Sequence, residues 1–347
     1  MIPVKGYAAQ TEKAKLTPYS FERREVGTKD VLIDIHFCGI CHSDIHQVKN
    51  EWGGSTFPMV PGHEIVGVVN QVGKDVLRYK IGDRVGVGCI VNSCSKCEPC
   101  DVGLEQFCDE GVTLTYNGVE RDGSAVTQGG YSTKIVVNEN YVLKLPDNLP
   151  LDASAPLLCA GITLYSPLKH WHAGPGKKVA ILGLGGLGHV GVKIAHAMGA
   201  EVTVLSHSPS KKVDSERLGA HHFYATSDEN TFKTLAKNFD LIICTVSSGI
   251  NWNDYLNLLK HDGTMVLIGV PQDAVPVHAF SLIGGRRSLA GSLIGGIEET
   301  QEMLNFCGQH NITADIEIIP IQSVNEAYER ILKSDVRYRF VIDIASL

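Results

Sequence analysis

Four cysteines in one short stretch form the densest group of potential metal ligands in the sequence. The stretch NSCSKCEPCDVGLEQFC places them in a C-x2-C-x2-C-x7-C array, at Cys94, Cys97, Cys100 and Cys108. Short C-x2-C turns let thiolates converge, and the longer arm can bring the fourth to complete a tetrahedron. A bacterial ferredoxin array instead ends with a three-residue gap and a proline, and usually occurs twice. The spacing predicts a closed structural Zn²⁺ site, with an iron–sulfur cluster or reactive thiols as the alternatives.

A second group of possible ligands is spread over three stretches of the chain. FCGICHSDIH contains Cys41, GHEIVG contains His63 and Glu64, and APLLCAGIT contains Cys159. A catalytic zinc needs three protein ligands and one open position, which Cys41, His63 and Cys159 would provide as a Cys2His set between two domains. The first stretch also matches the C-x-x-C of thiol redox proteins and, with His42, the C-x-x-C-H of haem attachment. Spacing alone leaves these interpretations open, because it cannot show that the three stretches converge.

A glycine-rich turn, GLGGLG, indicates a nucleotide site. Gly183, Gly185 and Gly188 form G-x-G-x-x-G, preceded by a strand-like run and followed by an amphipathic helical pattern, as the dinucleotide fingerprint requires. The first glycine permits the tight turn, the second lets the backbone approach a pyrophosphate, and the third lets the helix pack close to the strand. Because the helix N-terminus adds positive potential, the turn predicts a dinucleotide-binding site.

The end of the next predicted strand, VTVLSHSPSKK, bears on which dinucleotide is bound. NAD sites usually carry Asp or Glu about 20 residues beyond the first glycine, where this sequence has Ser206. Ser206, His207 and Ser208 can donate to a 2′-phosphate, and Lys211 or Lys212 can provide positive charge. The alternative is an ordinary solvated lysine pair in the first turns of a helix. The missing carboxylate and the several donors favour NADP(H).

The elements that must position these residues differ between the two parts of the chain. The first 150 residues contain short β-branched runs such as VLIDIHF and IVGVVNQVG, separated by Gly, Pro, Asn and Asp. After Pro150, a helix is predicted over 154–170, and KKVAILGLGGLGHVGVKIAHAMGAEVTVLS then predicts a βαβ unit. Further buried strands are predicted at DLIICTV and GTMVLIGV, and one helix and one strand in the tail. The sequence therefore predicts a β-rich domain followed by a doubly wound α/β domain.

Length, charge and cysteine content limit the classes of protein. The chain has 347 residues, of which 44% are hydrophobic, so two domains are expected. A formal net charge of −7 without a basic block argues against a nucleic-acid or anionic-membrane partner. No run approaches the roughly 18 apolar residues of a membrane span, and the start has no apolar signal region. We therefore expect a cytoplasmic protein, in which the ten cysteines are ligands and core residues rather than disulfides, and this argues against haem attachment.

Several motifs, in one order, resemble a known family. GHEIVGVVNQVGKDV resembles the glycine-patterned signature of the zinc-dependent medium-chain alcohol dehydrogenases. GICHSDIH, GCIVNSCSKCEPC, APLLCAGIT, GLGGLGH and DVRYRFVID resemble their cinnamyl alcohol dehydrogenase branch, over almost the full length. The resemblance implies an α/β protein with a GroES-like β-barrel catalytic domain, residues 1–150 and 292–347, and a Rossmann domain, residues 151–291. It also implies a homodimer, with a tetramer possible, paired here through SLAGSLI.

The resemblance also implies roles for individual residues. Cys41, His63 and Cys159 would bind a catalytic zinc, Glu64 would be an alternate ligand, and Asp44 would hydrogen-bond the outer nitrogen of His63. The four-cysteine array would bind a structural zinc, which makes two Zn²⁺ per chain. The predicted cofactor-binding residues are His42, Thr163, Gly183, Gly185, Gly186, Leu187, Gly188, Ser206, His207, Ser208, Lys211, Lys212 and Arg337.

The reaction that the resemblance implies is reversible hydride transfer between nicotinamide C4 and a primary alcohol or aldehyde, with zinc polarising the substrate oxygen. Ser43 and His46, close to Cys41 in sequence, are interpreted as a proton relay. Ser43 can hydrogen-bond the substrate oxygen, and His46 can titrate near neutral pH. The alternatives are a local turn hydroxyl and a surface histidine.

The substrate pocket is predicted to include Trp52, Leu114 and Leu293. Plant members of the branch usually carry aromatic residues where the two leucines stand, so a broad range of aromatic or medium aliphatic aldehydes is favoured over a phenylpropenyl substrate. Two rival hypotheses remain. An NAD-linked polyol or simple alcohol dehydrogenase would be expected to carry a carboxylate in place of Ser206. A zinc- and dinucleotide-binding redox sensor would be expected to lack part of the zinc set or the relay.

Overall fold

The computed structural model describes residues 1–271 and 273–347. The strands, in chain order, are β1 Ile2–Ala8, β2 Thr17–Arg23, β3 Asp30–Gly39, β4 Ile65–Val72, β5 Arg84–Val87, β6 Ile90–Asn92, β7 Thr113–Leu114, β8 Lys134–Asn138, β9 Leu143–Lys144, β10 Lys178–Leu182, β11 Glu201–Ser206, β12 His222–Ala225, β13 Phe239–Cys244, β14 Leu259–Leu267, β15 Ser288–Gly291, β16 Ile316–Pro320 and β17 Arg339–Asp343. The helices are α1 His42–Val48, α2 Glu98–Asp101, α3 Leu151–Ser154, α4 Ala160–His170, α5 Gly188–Ala197, α6 Lys212–Arg217, α7 Asn230–Thr234, α8 Trp252–Leu256, α9 Ala279–Ile283, α10 Ile297–His310 and α11 Val324–Leu332. None of the helices in this described part of the chain has the length and apolar character needed to span a bilayer.

The described chain forms two compact units, residues 1–162 with 295–347, and residues 163–294. The predicted domains follow the same order along the chain, but their boundaries were placed after residues 150 and 291. Residues 151–162 belong to the first unit because α3 and the 3-10 turn Ala155–Leu158 contact β3, β4 and β17. Cys159, which the predicted boundary assigned to the second domain, is therefore a residue of the first unit.

The first unit is built on a seven-stranded sheet with the order β16-β17-β3-β4-β5-β9, in which β8 also pairs with β3. All pairs except β16–β17 are antiparallel. Strand β3 leads through Gly39 directly to Cys41 and α1, whereas β4 begins directly after Glu64. Because Cys38 on β3 pairs with Ile65 on β4, the register brings the ends of these two strands together. The sheet thereby places two of the three sequence stretches with candidate ligands next to each other.

The second unit contains six parallel strands in the order β12-β11-β10-β13-β14-β15. This is the 3-2-1-4-5-6 order of doubly wound dinucleotide-binding domains, whose ligands bind at the carboxyl ends of the central strands. Phe239, Trp252 and Met265 belong to its buried core. Strand β15, which begins the predicted dimer segment, lies at one edge of the sheet. Pairing through that edge stays a prediction.

The continuous helix predicted over 154–170 is interrupted in the structure. Helix α3 ends at Ser154, a 3-10 turn covers Ala155–Leu158, and α4 begins at Ala160. Pro156 begins this change because it has no amide hydrogen to donate within a helix. Cys159 lies between the two helical segments with φ −125° and ψ −65°, outside helical geometry. The break is a local feature of the stretch that carries the third candidate ligand.

Candidate functional site

The four cysteines of the C-x2-C-x2-C-x7-C array converge as the spacing predicts. The four Sγ atoms all lie within 4.8 Å of one another. The Sγ atoms of Cys94 and Cys100 are 3.9 Å apart, as are those of Cys97 and Cys108. Thiolates arranged tetrahedrally at the usual Zn–S distance of 2.3 Å are about 3.8 Å apart, so the spacing fits zinc. The donor set is complete without water, which is the arrangement of a structural site.

Neutral hydroxyl groups contact this array on its buried side, whereas Lys96, within the array, forms an exposed ion pair with Glu110. Cys100 Sγ lies 3.3 Å from Ser93 Oγ, which in turn lies 2.8 Å from the hydroxyl of Tyr141. Ser95 Oγ is 3.3 Å from the same hydroxyl. Tyr141 is buried and comes from the segment between β8 and β9, so it fastens the array to the sheet of the first unit. The sequence analysis did not predict this contact, because Tyr141 has no motif of its own.

Cys41, His63, Glu64 and Cys159 form a second cluster, fully within the first unit. All four are buried, and their ligand atoms lie within 4.8 Å of one another. The Sγ atoms of Cys41 and Cys159 are 3.9 Å apart, again close to the spacing of about 3.8 Å between thiolates on zinc. Two thiols, one imidazole and an additional carboxylate are the donor chemistry of a catalytic zinc site. The structure thus brings together the three stretches that spacing alone could not connect.

Asp44 organises this cluster from the first turn of α1. Its fully buried carboxylate accepts hydrogen bonds from the backbone amides of Cys41 at 2.9 Å and Gly62 at 3.2 Å. It also lies 3.1 Å from His63 Nδ1 and accepts from the hydroxyl of Tyr131 at 3.1 Å. With Nδ1 held by Asp44, Nε2 is the nitrogen that His63 presents to a metal. The predicted Asp44–His63 contact is present in the structure, whereas Tyr131 was not predicted.

The charges of the cluster favour a thiolate at Cys41. A hydrogen bond from Cys159 lowers the pKa of Cys41 well below its usual range and raises that of Cys159. Burial opposes a charged His63, but the charge of Asp44 raises the pKa of that imidazole. Cys89, for which no role was predicted from the sequence, lies close enough to Cys159 for that thiol to lower its pKa. The pocket therefore stabilises negative sulfur before any cation is considered.

Glu64 and Arg339 form a buried ion pair beside these ligands. Arg339 Nη2 donates to Glu64 Oε1 at 2.5 Å, and the two side chains are 5% and 0% exposed. Burial raises the pKa of Glu64 to about 8, against the influence of Arg339. Within the residues that the structure describes, Glu64 Oε2 has no hydrogen-bond partner. Arg337 was predicted from the same DVRYRF motif, but Arg339 was not, because its inward direction follows only from the pairing of β17 with β3.

The residues of the predicted proton relay lie on α1. Ser43 Oγ is 3.6 Å from Cys41 Sγ, so its hydroxyl adjoins the second cluster. One turn later, His46 Nδ1 contacts the carboxylate of Glu51, and its ring stacks on Trp52 with centroids 4.9 Å apart. His46 therefore has an acidic partner that the sequence analysis did not predict. Trp52 is 45% exposed and contacts His46, so it does not form part of a closed apolar wall.

The glycine turn of the second unit has the geometry of the dinucleotide fingerprint. Gly183 has φ of +95°, a conformation that favours glycine. A Cβ on Gly188 would lie 1.9 Å from the carbonyl oxygen of Gly183, so the close helix–strand approach requires glycine there. No atom lies within 4 Å of a Cβ built on Gly185, which leaves its backbone open to a ligand. The next two residues of the predicted set, Gly186 and Leu187, lead into α5, with Leu187 as the N-cap.

The predicted 2′-phosphate residues follow the end of β11 in the same unit. Ser206 is the last residue of that strand and is buried, whereas His207, Ser208 and Lys212 are exposed. Lys211 Nζ donates to the carbonyl of Leu184 at 2.5 Å, which ties it to the glycine turn. These residues are thus adjacent to the predicted pyrophosphate site. Thr163 is buried at the start of the unit.

The remaining predicted residues provide no ligand atom to either cluster. Leu114, on β7 of the first unit, and Leu293, in the second unit, are both exposed. His42, the first residue of α1, is exposed, and the guanidinium of Arg337 lies 5.7 Å from the ring centre of Tyr338. Cys38 is buried on β3, where burial raises its pKa well above the usual value. The sulfur of Cys41 lies beside the sulfur of Cys159. This contact does not support the interpretation of Cys38 and Cys41 as a C-x-x-C redox pair.

Comparisons with known proteins agree with this geometry. Residues 27–147 match the family described as alcohol dehydrogenase GroES-like domain, and residues 186–309 match the zinc-binding dehydrogenase family. NADP-dependent alcohol dehydrogenase C 1 of Mycolicibacterium smegmatis is 61% identical over 100% of this chain and 99% of its own length. A cinnamyl alcohol dehydrogenase structure from Sorghum bicolor has a TM-score of 0.96 at 47% identity, over 99% of this chain and 98% of its own. A Helicobacter pylori cinnamyl alcohol dehydrogenase complexed with NADP(H) has a TM-score of 0.93 at 45% identity, over 99% of both chains.

These matches confirm the predicted fold class, a GroES-like domain with a Rossmann domain, and the predicted family. They cover the whole chain at high identity, and both domains match in the expected order. The chain therefore belongs to the zinc-dependent medium-chain alcohol dehydrogenases, in their cinnamyl alcohol dehydrogenase branch, and is an alcohol dehydrogenase.

Proposed function

We propose that this enzyme is a zinc-dependent, NADP(H)-preferring alcohol dehydrogenase and aldehyde reductase that interconverts primary alcohols and aldehydes. The observation that carries the proposal is the buried convergence of Cys41, His63 and Cys159, with their ligand atoms within 4.8 Å. Three ligands of this kind leave a fourth position for a substrate oxygen, as in catalytic zinc sites. A site that only stabilised the fold would be closed, as the four-cysteine array is.

In this proposal, Cys41, His63 and Cys159 hold the catalytic zinc, and Glu64 is the alternate ligand. Bound there, zinc acts as a Lewis acid toward the alcohol or carbonyl oxygen. Asp44 fixes the tautomer of His63, and the amides that also donate to Asp44 keep its carboxylate in place. Cys94, Cys97, Cys100 and Cys108 hold the structural zinc, which makes two metal ions per chain.

The proton of the reacting oxygen requires a path to solvent. Ser43 is the hydroxyl nearest to the Cys41 sulfur on α1, so it is suited to hydrogen-bond that oxygen. His46 lies one turn further along the same helix, where its Nδ1 contacts the carboxylate of Glu51. Ser43 therefore holds the proton at the site, and His46 with Glu51 releases it.

The preference for NADP(H) rests on the end of β11. A serine occupies the position of the usual ribose-binding carboxylate, and two lysines follow it closely, one of them fixed to the glycine turn. The related protein from Mycolicibacterium smegmatis is named as NADP-dependent, and the Helicobacter pylori structure contains NADP(H). These are the arguments for carrying the preference over to this chain.

The substrate class that we propose is broad, with aromatic and medium aliphatic aldehydes reduced to primary alcohols. Leu114 and Leu293 provide apolar surface without an aromatic ring, which favours general apolar contact over stacking with a phenylpropenyl group. Trp52 provides the one ring in the predicted set, and its contact with His46 places it beside the proton path. We also propose a homodimer, paired through the β15 edge.

The test is a comparison of cofactors and metal states in one assay. We expect purified enzyme with two zinc ions per chain to oxidise NADPH with benzaldehyde, with a higher kcat/KM for NADPH than for NADH. Enzyme freed of zinc by a chelator should lose turnover and recover it with added Zn²⁺. A higher kcat/KM for NADH would favour the NAD-linked alternative. No turnover with a panel of aldehydes and alcohols, despite bound zinc and NADPH, would favour the redox-sensor alternative.

A further inference from the structure

The ion pair between Arg339 and Glu64 suggests how the fourth metal position stays open. The pair is fully enclosed, with side-chain exposures of 5% and 0%. In its ionised form, a buried carboxylate needs a cation beside it, because removing its charge from water is costly. Two cations can meet this need: the guanidinium of Arg339, and a metal held by Cys41, His63 and Cys159. Glu64 has an oxygen within 4.8 Å of all three of those ligand atoms.

The two oxygens of Glu64 are in unequal environments. Oε1 accepts the hydrogen bond from Arg339 Nη2 at 2.5 Å. Oε2 is buried, and no hydrogen-bond partner for it exists among residues 1–271 and 273–347. It occupies the space that a side chain on Gly39 would fill, since a Cβ there would lie 2.0 Å from it. A carboxylate that is bonded through just one of its oxygens can still bind a second cation through the other.

Arg339 is itself anchored to the stretch that carries Cys41. The same Nη2 atom donates to the carbonyl of Ile40 at 2.7 Å, and the amide of Ile40 donates to the carbonyl of Phe340 at 2.9 Å. The guanidinium therefore bonds both Glu64 and the backbone next to Cys41, and the backbone of its own strand is paired with that same stretch. This anchoring fixes the carboxylate at a defined place relative to Cys41.

We propose that Arg339 is a positioning residue that holds the Glu64 carboxylate off the catalytic metal and so keeps its fourth position open to substrate. The inference rests on the proposed zinc site. Two thiolates already balance the charge of a divalent metal, so Glu64 remains with Arg339 while that pair is intact. Without the guanidinium, the metal is the cation that remains near the buried carboxylate. The carboxylate then binds the metal and occupies the position that substrate needs.

The test replaces the catalytic zinc with Co²⁺, whose visible absorption reports its ligands, and titrates the metal with imidazole. The closed four-cysteine site has no position for imidazole, so the titration reports on the open site alone. For Arg339→Met we expect changed cobalt bands and imidazole binding weakened by at least about tenfold, the lower range of effects for outer-shell partners. Arg330→Met is the matched control, since it removes another arginine–glutamate pair, with Glu317, outside the cluster. It should leave the bands and the imidazole affinity unchanged.

Arg339→Met/Glu64→Gln separates the proposed role from a merely structural one. If Arg339 acts through the Glu64 charge, this double variant regains the wild-type bands and imidazole affinity. Arg339→Lys keeps the charge and should lie between wild type and Arg339→Met, and it also serves if the methionine variant does not fold. Unchanged bands and affinity in the single variants, or a double variant as impaired as Arg339→Met, would overturn the inference. Wild-type enzyme that binds no cobalt beyond the four-cysteine site would overturn the proposed zinc site, and the inference with it.

Discussion

The two cysteine clusters of the first unit differ in how their ligands are brought together. Cys94, Cys97, Cys100 and Cys108 come from one short segment, and their spacing alone brings them into contact. Cys41, His63 and Cys159 come from three segments that only the sheet and the broken helix before α4 connect. The first cluster is therefore a property of the local sequence, and the second is a property of the fold.

The surroundings of the clusters differ as well. Around the four-cysteine array, the buried neighbours are neutral hydroxyls, those of Ser93 and Tyr141 among them, whereas the charged Lys96 and Glu110 of the same segment are exposed. Around the second cluster lie Asp44 and the Glu64–Arg339 pair, all buried and charged. Charged neighbours are costly to bury and strengthen electrostatic effects in a dry pocket. In our proposal, the open fourth position gives the second cluster its chemistry, and the buried ionisable groups behind its ligands hold those ligands in place.

The largest expected effect comes from removing one ligand of each cluster. Cys159→Ala should lower kcat/KM for aldehyde reduction by at least roughly 10³-fold, because a metal Lewis acid contributes several kcal/mol to the transition state. It should also reduce the zinc content from two per chain to one. Cys97→Ala, the matched change in the other cluster, should likewise lose one zinc but retain most turnover per folded molecule, with Tm lower by at least about 5 °C. Metal analysis, steady-state kinetics and thermal unfolding measure all three quantities. Similar losses of turnover in both variants would contradict the division of roles.

The two clusters also differ in how well the sequence predicts them, because one is formed by a local segment and the other by the fold. The array at Cys94 was predicted from spacing, since every ligand is near every other in the chain. Cys41, His63 and Cys159 were grouped from their residue types as one of several open interpretations, and the resemblance to a family then favoured it. Spacing could not show their convergence, because it depends on the pairing of β3 with β4 and on the break at Pro156.

The neighbours of the ligands were the least predictable part. Asp44 was named through the resemblance, but Tyr131, Arg339, Glu51 and Tyr141 were missed. Each of these side chains reaches its partner across the tertiary structure or from a turn without periodicity, so no local pattern marks it. The doubly wound α/β class of the second unit, in contrast, was predicted from buried apolar runs alternating with helical segments, which are local signals.

Ser43→Ala is the next largest perturbation, and it affects only the second cluster. Loss of a positioned proton-transfer group typically reduces turnover by about 10²–10⁴-fold. We expect a decrease in kcat within this range, while zinc content stays at two per chain because Ser43 is not a ligand. Ser95→Ala is the matched control beside the four-cysteine array, where its hydroxyl contacts Tyr141, and it should leave kcat unchanged. Unchanged turnover in the Ser43 variant would remove this residue from the relay.

Asp44→Asn tests whether buried charge distinguishes the second cluster. Asp44 accepts from two backbone amides and a tyrosine hydroxyl and contacts His63 Nδ1, and an amide would turn a donor toward some of these groups. We expect zinc to leave the Cys41 site about 10–100-fold more readily, the usual effect of losing an outer-shell carboxylate. Release into a chelator, followed with a colorimetric zinc indicator, should show one faster phase and one unchanged phase. Equal acceleration of both phases would indicate general destabilisation instead.

Tyr141→Phe should have the smallest effect, and it applies the same reasoning to the neutral surroundings of the four-cysteine array. The variant removes one hydroxyl that contacts Ser93 and Ser95, which costs about 1 kcal/mol and lowers Tm by roughly 2–4 °C. The structural zinc should be released a few times faster, and kcat should not change.

Tyr328→Phe removes a buried hydroxyl that contacts Tyr131 behind the second cluster, so it is the matched control. If Tyr328→Phe accelerated release of the structural zinc as much as Tyr141→Phe, the two clusters would be coupled through the sheet. Independent responses would show that the neutral contacts hold one metal locally, while the charged network serves only the other.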